Sequence, residues 1–357
     1  MDIKISFLGD ILFTPAQVSF LDSRATTDYI STKLKRQLQS SNLVIGNLET
    51  PITAKKVVKT DKFSFVADKK FLDCLADSNI TMVSTANNHC LDNGIAGVTE
   101  TIENLRKKKI DSFGTYKDKK DKKICIKQIG DTKISFLSYT YGTNAFINHE
   151  YLSSEDSYAV NLFKKQETSR MFLRKIKWKL CPNFQLFNFI RDRKYLNKVK
   201  TEILQAKKKS DIVIVAMHSG GQYNKKIDNY TRCLAHFLVN SGADVVVGNH
   251  PHRILETELY KDKFIAYSLG NFFAMPYENA NQDDDFPNYS AILNLYINNH
   301  SKKIEQVTFN IAKTECNEEL IVDLVDNVET NAYAKNAVEI FCGKNAAKIK
   351  DGELLIK

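Results

Sequence analysis

No window of this chain approaches the roughly 18 consecutive apolar residues that a bilayer-crossing helix needs, so nothing in it reads as a membrane span. CxxC pairs are absent too. The seven cysteines (Cys74, Cys90, Cys125, Cys181, Cys233, Cys316, Cys342) are odd in number and widely scattered, which argues against a disulfide framework and against a structural zinc ribbon. They are expected to be reduced and mostly buried, as free cysteines usually are, including Cys90 beside a motif residue. Internal repeats, low-complexity stretches and any recognised nucleic-acid-binding module are also lacking, so nucleic acid is not an expected partner. The residues Ile3-Lys4-Ile5-Ser6-Phe7-Leu8 alternate as a strand does, without the charged, apolar and small-residue regions of an export signal. A cytoplasmic chain is expected on that reading, peripheral to the membrane only where a partner or a surface segment anchors it.

What is present is ordinary globular material. The 357 residues are 43% hydrophobic and 26% charged, typical of a soluble domain with ample core, and long enough for one large domain or two. The net charge of +9 is a local property. Residues 164–209 carry 15 Lys/Arg against 3 Asp/Glu, a net of +12, which leaves the remainder at −3. Any account of the positive charge concerns that segment alone.

Apolar runs alternate with helix-like stretches over the first 140 residues. Strands are expected at Ile3–Leu8, Asn42–Gly46, Ile80–Thr85 and Lys133–Tyr139, with helices at Thr27–Gln39, Lys69–Asp77 and Gly97–Lys107. The lysine run closing the last of these suits a helix C-terminus. A second series follows at Asp211–Met217, Asp244–Gly248, Phe264–Ser268, Ser290–Ile297 and Lys303–Ala312, with a helix over Thr231–Asn240 between the first two. Nearly continuous apolar strands such as Ile212-Val213-Ile214-Val215-Ala216 are those of a sheet buried on both faces. The last two strands alternate and are expected to be antiparallel. The fold class expected is a layered α/β domain with mixed sheets. Residues 151–209 break the rhythm, with Met171–Leu180 basic and aromatic, and are expected to form an inserted helical element. The stretch 316–357 is expected to be a helix-rich appendage.

Five expected strands end in groups able to bind a metal. Asp10 follows the first, Asn47 and Glu49 the second, and Asn87, Asn88 and His89 the third. His218 ends the strand at 212–217, and Asn249, His250 and His252 end the strand at 245–248. Ligand crevices of open α/β sheets lie beyond the carboxyl ends of strands, and four of the seven histidines fall there. An isolated Asp or Asn at a strand end more often caps a helix or shapes a turn, and Asn87 is read that way; the convergence of types sets the others apart. His149, His236 and His300 lack such a context. Carboxylate, amide oxygen and imidazole together suit manganese, iron or zinc, one ion or two. A carboxylate able to bridge paired ions is the pattern of phosphoester hydrolysis. Gly9, Gly46, Gly220, Gly221 and Gly248 beside these residues are expected to allow close backbone approach to the ions and sharp turns.

Six segments, in order, resemble the bacterial capsule-synthesis CapA (poly-γ-glutamate, PgsA-like) family of the calcineurin-like metallophosphoesterase superfamily. They are Phe7–Asp10, Gly46–Ile52, Ala86–Gly94, His218–Tyr223, Gly242–His252 and Tyr267–Phe272. The resemblance implies an α-β-β-α sandwich over residues 1–315, interrupted by the basic insertion at about 151–209. It implies that Asp10, Glu49 and His252 hold one metal and that Glu49, Asn88, His218 and His250 hold the second. His89 would be the general acid that protonates the leaving oxygen, Asp92 would orient it, and Asn271 would shape the site floor and touch substrate. The sequence departs from the superfamily pattern at Leu12, where a histidine is usual, and at Ser219, Gln222 and Asn249.

The expected function is therefore a metal-dependent, phosphoesterase-like hydrolase in capsule or exopolysaccharide biosynthesis. The other reading is a non-catalytic accessory that binds an anionic polymer or a membrane synthase. For residues 164–209 three readings stand: a solvated helical face, a helix lying on anionic lipid, or a guide for an acidic polymer or phosphorylated substrate.

Overall fold

The structure, a computed structural model, describes residues 2–14, 18, 29–54, 64–166, 190–274, 288–316, 320–343, 348–350 and 353–356. Apolar residues at every second position build its centre. Strand β1 (Ile3–Ile11) pairs in parallel with β2 (Leu43–Leu48), which pairs with β3 (Met82–Ser84) and that in turn with β4 (Asp111–Phe113). The second sheet has β5 (Cys125–Ile129) and β6 (Thr132–Thr140) at one end. β7 (Ile212–His218) and β8 (Val245–Asn249) follow in parallel, then β10 (Lys263–Leu269) and the antiparallel edge strand β9 (Ile254–Tyr260). In the first sheet β11 (Asn271–Phe273) adds to β1, and the long hairpin of β12 (Tyr289–Asn298) and β13 (Lys303–Cys316) continues it antiparallel. Among the described residues, sixteen strands thus form two mixed sheets of ten and six.

The pleat sorts these strands' side chains into layers. Ile3, Ile5, Phe7, Leu43 and Ile45 of the first sheet meet Ile134, Phe136, Ile212, Ile214, Val245 and Val247 of the second in one buried core. Their alternates face outward to helices. Leu8, Val44 and Val83 pack against α1 (Thr32–Gln39), α2 (Phe71–Asp77) and Leu105 of α3 (Gly94–Lys107). On the far side Val213, Val215 and Val246 pack against α5 (Arg193–Lys207) and α6 (Asn229–Asn240); the short α4 (Ala145–Asn148) precedes these two in the chain. The result is the four-layer α-β-β-α sandwich with mixed sheets. Local signals start the helices: the Ser31 hydroxyl accepts from Leu34 N, and the Asp228 carboxylate from Thr231 N.

Two segments differ from their expected form. Helix α5 lies within the basic stretch, yet its Leu196, Val199, Ile203 and Ala206 are buried in the outer layer of the sandwich. Its lysines (Lys194, Lys198, Lys200, Lys207) face solvent, so charge on the outer face masks an i, i+3, i+7 apolar stripe. Residues 159–163 are buried as well, bridging to Thr115 and Thr140. Met171–Leu180, on which the lipid and polymer readings rest, lies outside the described residues. In the stretch after Cys316, expected to be helix-rich, the described residues form β14 (Leu320–Leu324), α7 (Ala332–Cys342), β15 (Lys348–Lys350) and β16 (Glu353–Leu355). β14 and β16 both hydrogen-bond to β13, and Ala334, Ala337 and Phe341 of α7 enter the core between the sheets. Glu353 pairs with Lys4 of β1 at 2.8 Å and accepts from the Tyr296 hydroxyl at 2.9 Å. Among the described residues no helix is long and apolar enough to cross a membrane.

Cys74, Cys90 and Cys342 are buried free thiols, while Cys125 is half-buried and Cys233 exposed. Burial pushes the Cys90 thiol up to about 12, which leaves it an inert packing group.

Candidate metal centre

The carboxyl ends of β1, β2, β3, β7 and β8 meet at one edge of the sandwich. Asp10 stands on β1, Glu49 one residue past β2, and His218 is the last residue of β7. Asn88 and His89 lie in the turn between β3 and α3, and His250 and His252 in the turn between β8 and β9. All seven side chains are buried.

Backbone geometry at two points makes this convergence possible. Asp10 N donates to Gly270 O at 2.8 Å, and a Cβ on Gly9 would sit 2.0 Å from that same oxygen. A Cβ on Gly248 would lie 2.1 Å from Tyr267 O. These glycines make room for a neighbouring strand. His250 and His252 both have positive φ, 102° and 56°, a conformation costing on the order of 1–3 kcal/mol for a residue of this kind. It turns His250 N toward Asp10 Oδ2, 3.2 Å away.

Donor atoms fall into two groups that share one carboxylate. Asp10, Glu49 and His252 offer ligand atoms within 4.8 Å of one another, and so do Glu49, His218 and His250. Asn88 Oδ1 joins the second group, 2.6 Å from His218 Nε2. His250 Nδ1 lies 3.1 Å from that same Nε2. Asn47 Nδ2 donates to Asp10 Oδ1 at 2.8 Å and approaches His218 Nδ1 at 3.3 Å, while Asn47 Oδ1 accepts from the Ser84 hydroxyl. Asn47 therefore stands behind both groups, a role the sequence did not reveal. On the far side of His252, Asn271 Oδ1 accepts from Nδ1 at 2.9 Å. Asn271, expected to touch substrate, is thereby engaged with a histidine.

Electrostatics here follow from burial. Desolvation, reinforced by the Asp10 charge, holds the Glu49 carboxyl well above its ordinary range. Both Glu49 oxygens are buried with no hydrogen-bond partner. Desolvation also holds His218 and His250 well below the usual imidazole value, and neighbouring histidines add to it. At His252 burial opposes the charge, but Glu49, then Asp10 and Asn271, outweigh it and bring the group up to about 9. A buried carboxylate with two unmet acceptor atoms is costly unless a cation meets it. The donor set of carboxylate, amide oxygen and imidazole, without thiolate, fits a hard or borderline divalent ion. The residues present therefore fit a metal, and they do not specify which.

His89 borders these groups. Its Nδ1 lies 2.7 Å from Asp92 Oδ2, and its ring stacks on Phe65 with centroids 4.0 Å apart. Phe65 N donates to Asp92 Oδ2 at 2.8 Å, and Asn148 Nδ2 to Asp92 Oδ1 at 3.2 Å. Leu12 packs with Phe65 and Ala274 and so backs the ring that stacks on His89. Asn87 bonds Leu48 O and His89 N and so shapes the turn. Phe65 and Asn148 are distant in sequence from every motif, and nothing in the sequence marks them. Tyr141, whose hydroxyl is 3.0 Å from His250 Nε2, was discoverable, because it directly follows the strand paired with β7.

The motif-bearing region as a whole matches a family model, that of the bacterial capsule synthesis protein PGA_cap, over residues 4–275. The chain belongs to this family. It is 28% identical over 274 residues to the PGA biosynthesis protein CapA of Bacillus subtilis (strain 168), covering 76% of this chain and 63% of that protein. To the capsule biosynthesis protein CapA of Bacillus anthracis it is 27% identical over 275 residues, covering 76% of this chain and 59% of the relative. The chain thus spans less than two thirds of the length of either relative. The PGA_cap match ends at residue 275, so β12 to β16 and α7 lie beyond it.

Proposed function

We propose that this PGA_cap member is a metal-dependent, phosphoesterase-like hydrolase acting in capsule or exopolysaccharide biosynthesis of the poly-γ-glutamate kind. The observation that carries the reading is Glu49, a buried carboxylate common to both donor groups and without a hydrogen-bond partner. Asp10, Glu49 and His252 would hold one divalent ion, and Glu49, Asn88, His218 and His250 a second; manganese, iron and zinc all suit these ligands. When bound, such ions supply Lewis-acid stabilisation of the charge that develops on the substrate's oxygens. The remaining work falls to the chain. His89 gives the proton of its Nε2 to the leaving oxygen, and Asp92 at Nδ1 fixes the ring and supports its positive charge. Phe65 covers one face of that ring and keeps water from it. The substrate on this reading is a phosphorylated intermediate or an anionic polymer. A membrane synthase or anionic lipid would be engaged through 164–209.

The test is turnover of a chromogenic phosphodiester and phosphomonoester by purified, manganese-loaded protein. Activity is expected, with loss in His89→Ala and His218→Ala. Metal-replete protein that hydrolyses no phosphoester above blank overturns the catalytic reading and leaves a binding accessory.

A further inference from the structure

Each histidine of a metal site must present one ring nitrogen inward and keep its proton on the other. At His252 Nδ1 is met by Asn271 Oδ1 at 2.9 Å and lies 3.3 Å from Asp10 Oδ2, while Nε2 faces Glu49 Oε1 at 3.7 Å. His250 is arranged the opposite way. Its Nδ1 points inward, 3.1 Å from His218 Nε2, and its Nε2 meets the Tyr141 hydroxyl at 3.0 Å. Tyr141 follows β6, whose Thr140 is in register with His218. Its backbone N–H donates to His218 O at 3.0 Å. One residue thereby grips both histidines of the second group, His218 through the main chain and His250 through the side chain. The ring packs against His250 with centroids 4.9 Å apart, and Lys164 Nζ lies 5.1 Å from the centroid of the phenol ring.

We infer that Tyr141 is a positioning residue that fixes His250 with Nδ1 inward and Nε2–H donating to the phenol oxygen. The inference rests on the metal reading above and adds a residue that no motif contains. Partners behind a liganding imidazole set its tautomer and ring orientation, and their loss typically weakens metal binding by about 10–100-fold. Asn271 fills the corresponding place for the other group, so the two ions depend on different partners.

Cobalt(II) titration of the full chain, followed by calorimetry and by visible absorption, tests this. Tyr141→Phe keeps the ring and removes only the hydroxyl. It is expected to weaken one cobalt ion by about 10–100-fold and to alter the cobalt absorption bands. The thermal midpoint of the metal-free protein should fall by no more than the loss of one hydrogen bond brings. On a His250→Ala background the same substitution should change nothing further, because the partner it acts through is gone. A Tyr141→Phe protein with the wild-type isotherm and spectrum overturns the inference, as does an additive effect in the double variant. Wild-type protein that takes up no cobalt, manganese or zinc overturns the metal reading itself and this inference with it.

Discussion

Asp92 Oδ2 lies 2.7 Å from His89 Nδ1 and also accepts from the backbone of Phe65, while its other oxygen accepts from Asn148. Three donors from three segments thus hold one carboxylate, and the carboxylate holds one imidazole. Only His89 Nε2 remains to face the site. If that nitrogen delivers a proton, His89→Ala should lower kcat by about 10²–10⁴-fold while the bound metal is retained. Asp92→Asn should lower kcat by less, since the imidazole remains but loses the carboxylate that orients it and supports its charge. Steady-state kinetics paired with elemental analysis checks both. Loss of metal in step with activity would reassign His89 as a ligand.

Glu49 presents the opposite case, a buried carboxyl with no hydrogen-bond partner, approached only at longer range by His218 Nε2 at 3.6 Å and His252 Nε2 at 3.7 Å. Its burial is a cost to the metal-free fold that a bound ion would offset. Glu49→Met replaces the buried carboxyl by an apolar group of similar volume, and should raise metal-free stability by about 1–3 kcal/mol, the usual penalty of a buried unmet polar group. The same variant should lose both ions, because Glu49 belongs to both donor groups. Thermal denaturation with and without manganese measures the two effects together. A metal-free Glu49→Met protein less stable than wild type would contradict this account.

Metal uptake should release protons and strengthen as pH rises. Without an ion, His252 is held at about 9 by Glu49 and Asp10 against the cost of its burial, so at pH 7 it carries a proton on both nitrogens. An entering ion must displace the one on Nε2. Glu49, raised by desolvation, adds to the same trend. His218 and His250 are lowered by burial and are already neutral in this window. Apparent affinity should therefore climb between pH 7 and pH 9, by up to about tenfold per pH unit for each proton displaced, and flatten above. Calorimetric titrations in buffers of different ionisation enthalpy count the protons. His252→Asn should reduce the slope to the share that Glu49 supplies.

Much of this architecture was legible in the sequence because parallel strands buried on both faces must be apolar throughout, as Ile212–Ala216 is. Their polar ends then stand out, and Asp10, Glu49, His218 and His250 were found that way. Contacts made only by the folded chain were not legible. Three residues, Asn271–Phe273, form a strand because β1 offers them an edge, and no local pattern announces it. Phe65 lies among unremarkable residues until it stacks on His89. The lysines of α5 concealed its buried stripe, since composition averages over both faces of a helix while packing does not.

The C-terminal helix offers the sharpest test of how far the core extends. Phe341 is fully buried, packs on Phe309 of β13 with ring centroids 4.8 Å apart, and receives a hydrogen bond from Thr257 of β9 on its backbone oxygen. It therefore touches both sheets, although Phe341 itself lies beyond the region that the family model matches. Phe341→Ala leaves a cavity between them, and a buried phenylalanine truncated in this way costs about 3–5 kcal/mol. Urea denaturation of the full chain should show that loss as a lower midpoint with an unchanged slope. The Tyr333→Ala variant supplies the control, because that side chain is 42% exposed on the same helix and its removal should cost far less. Equal, small effects from both would mean that α7 merely rests on the sandwich. A large loss confined to Phe341 means that the sheets holding the two donor groups are wedged in place by residues outside the motifs.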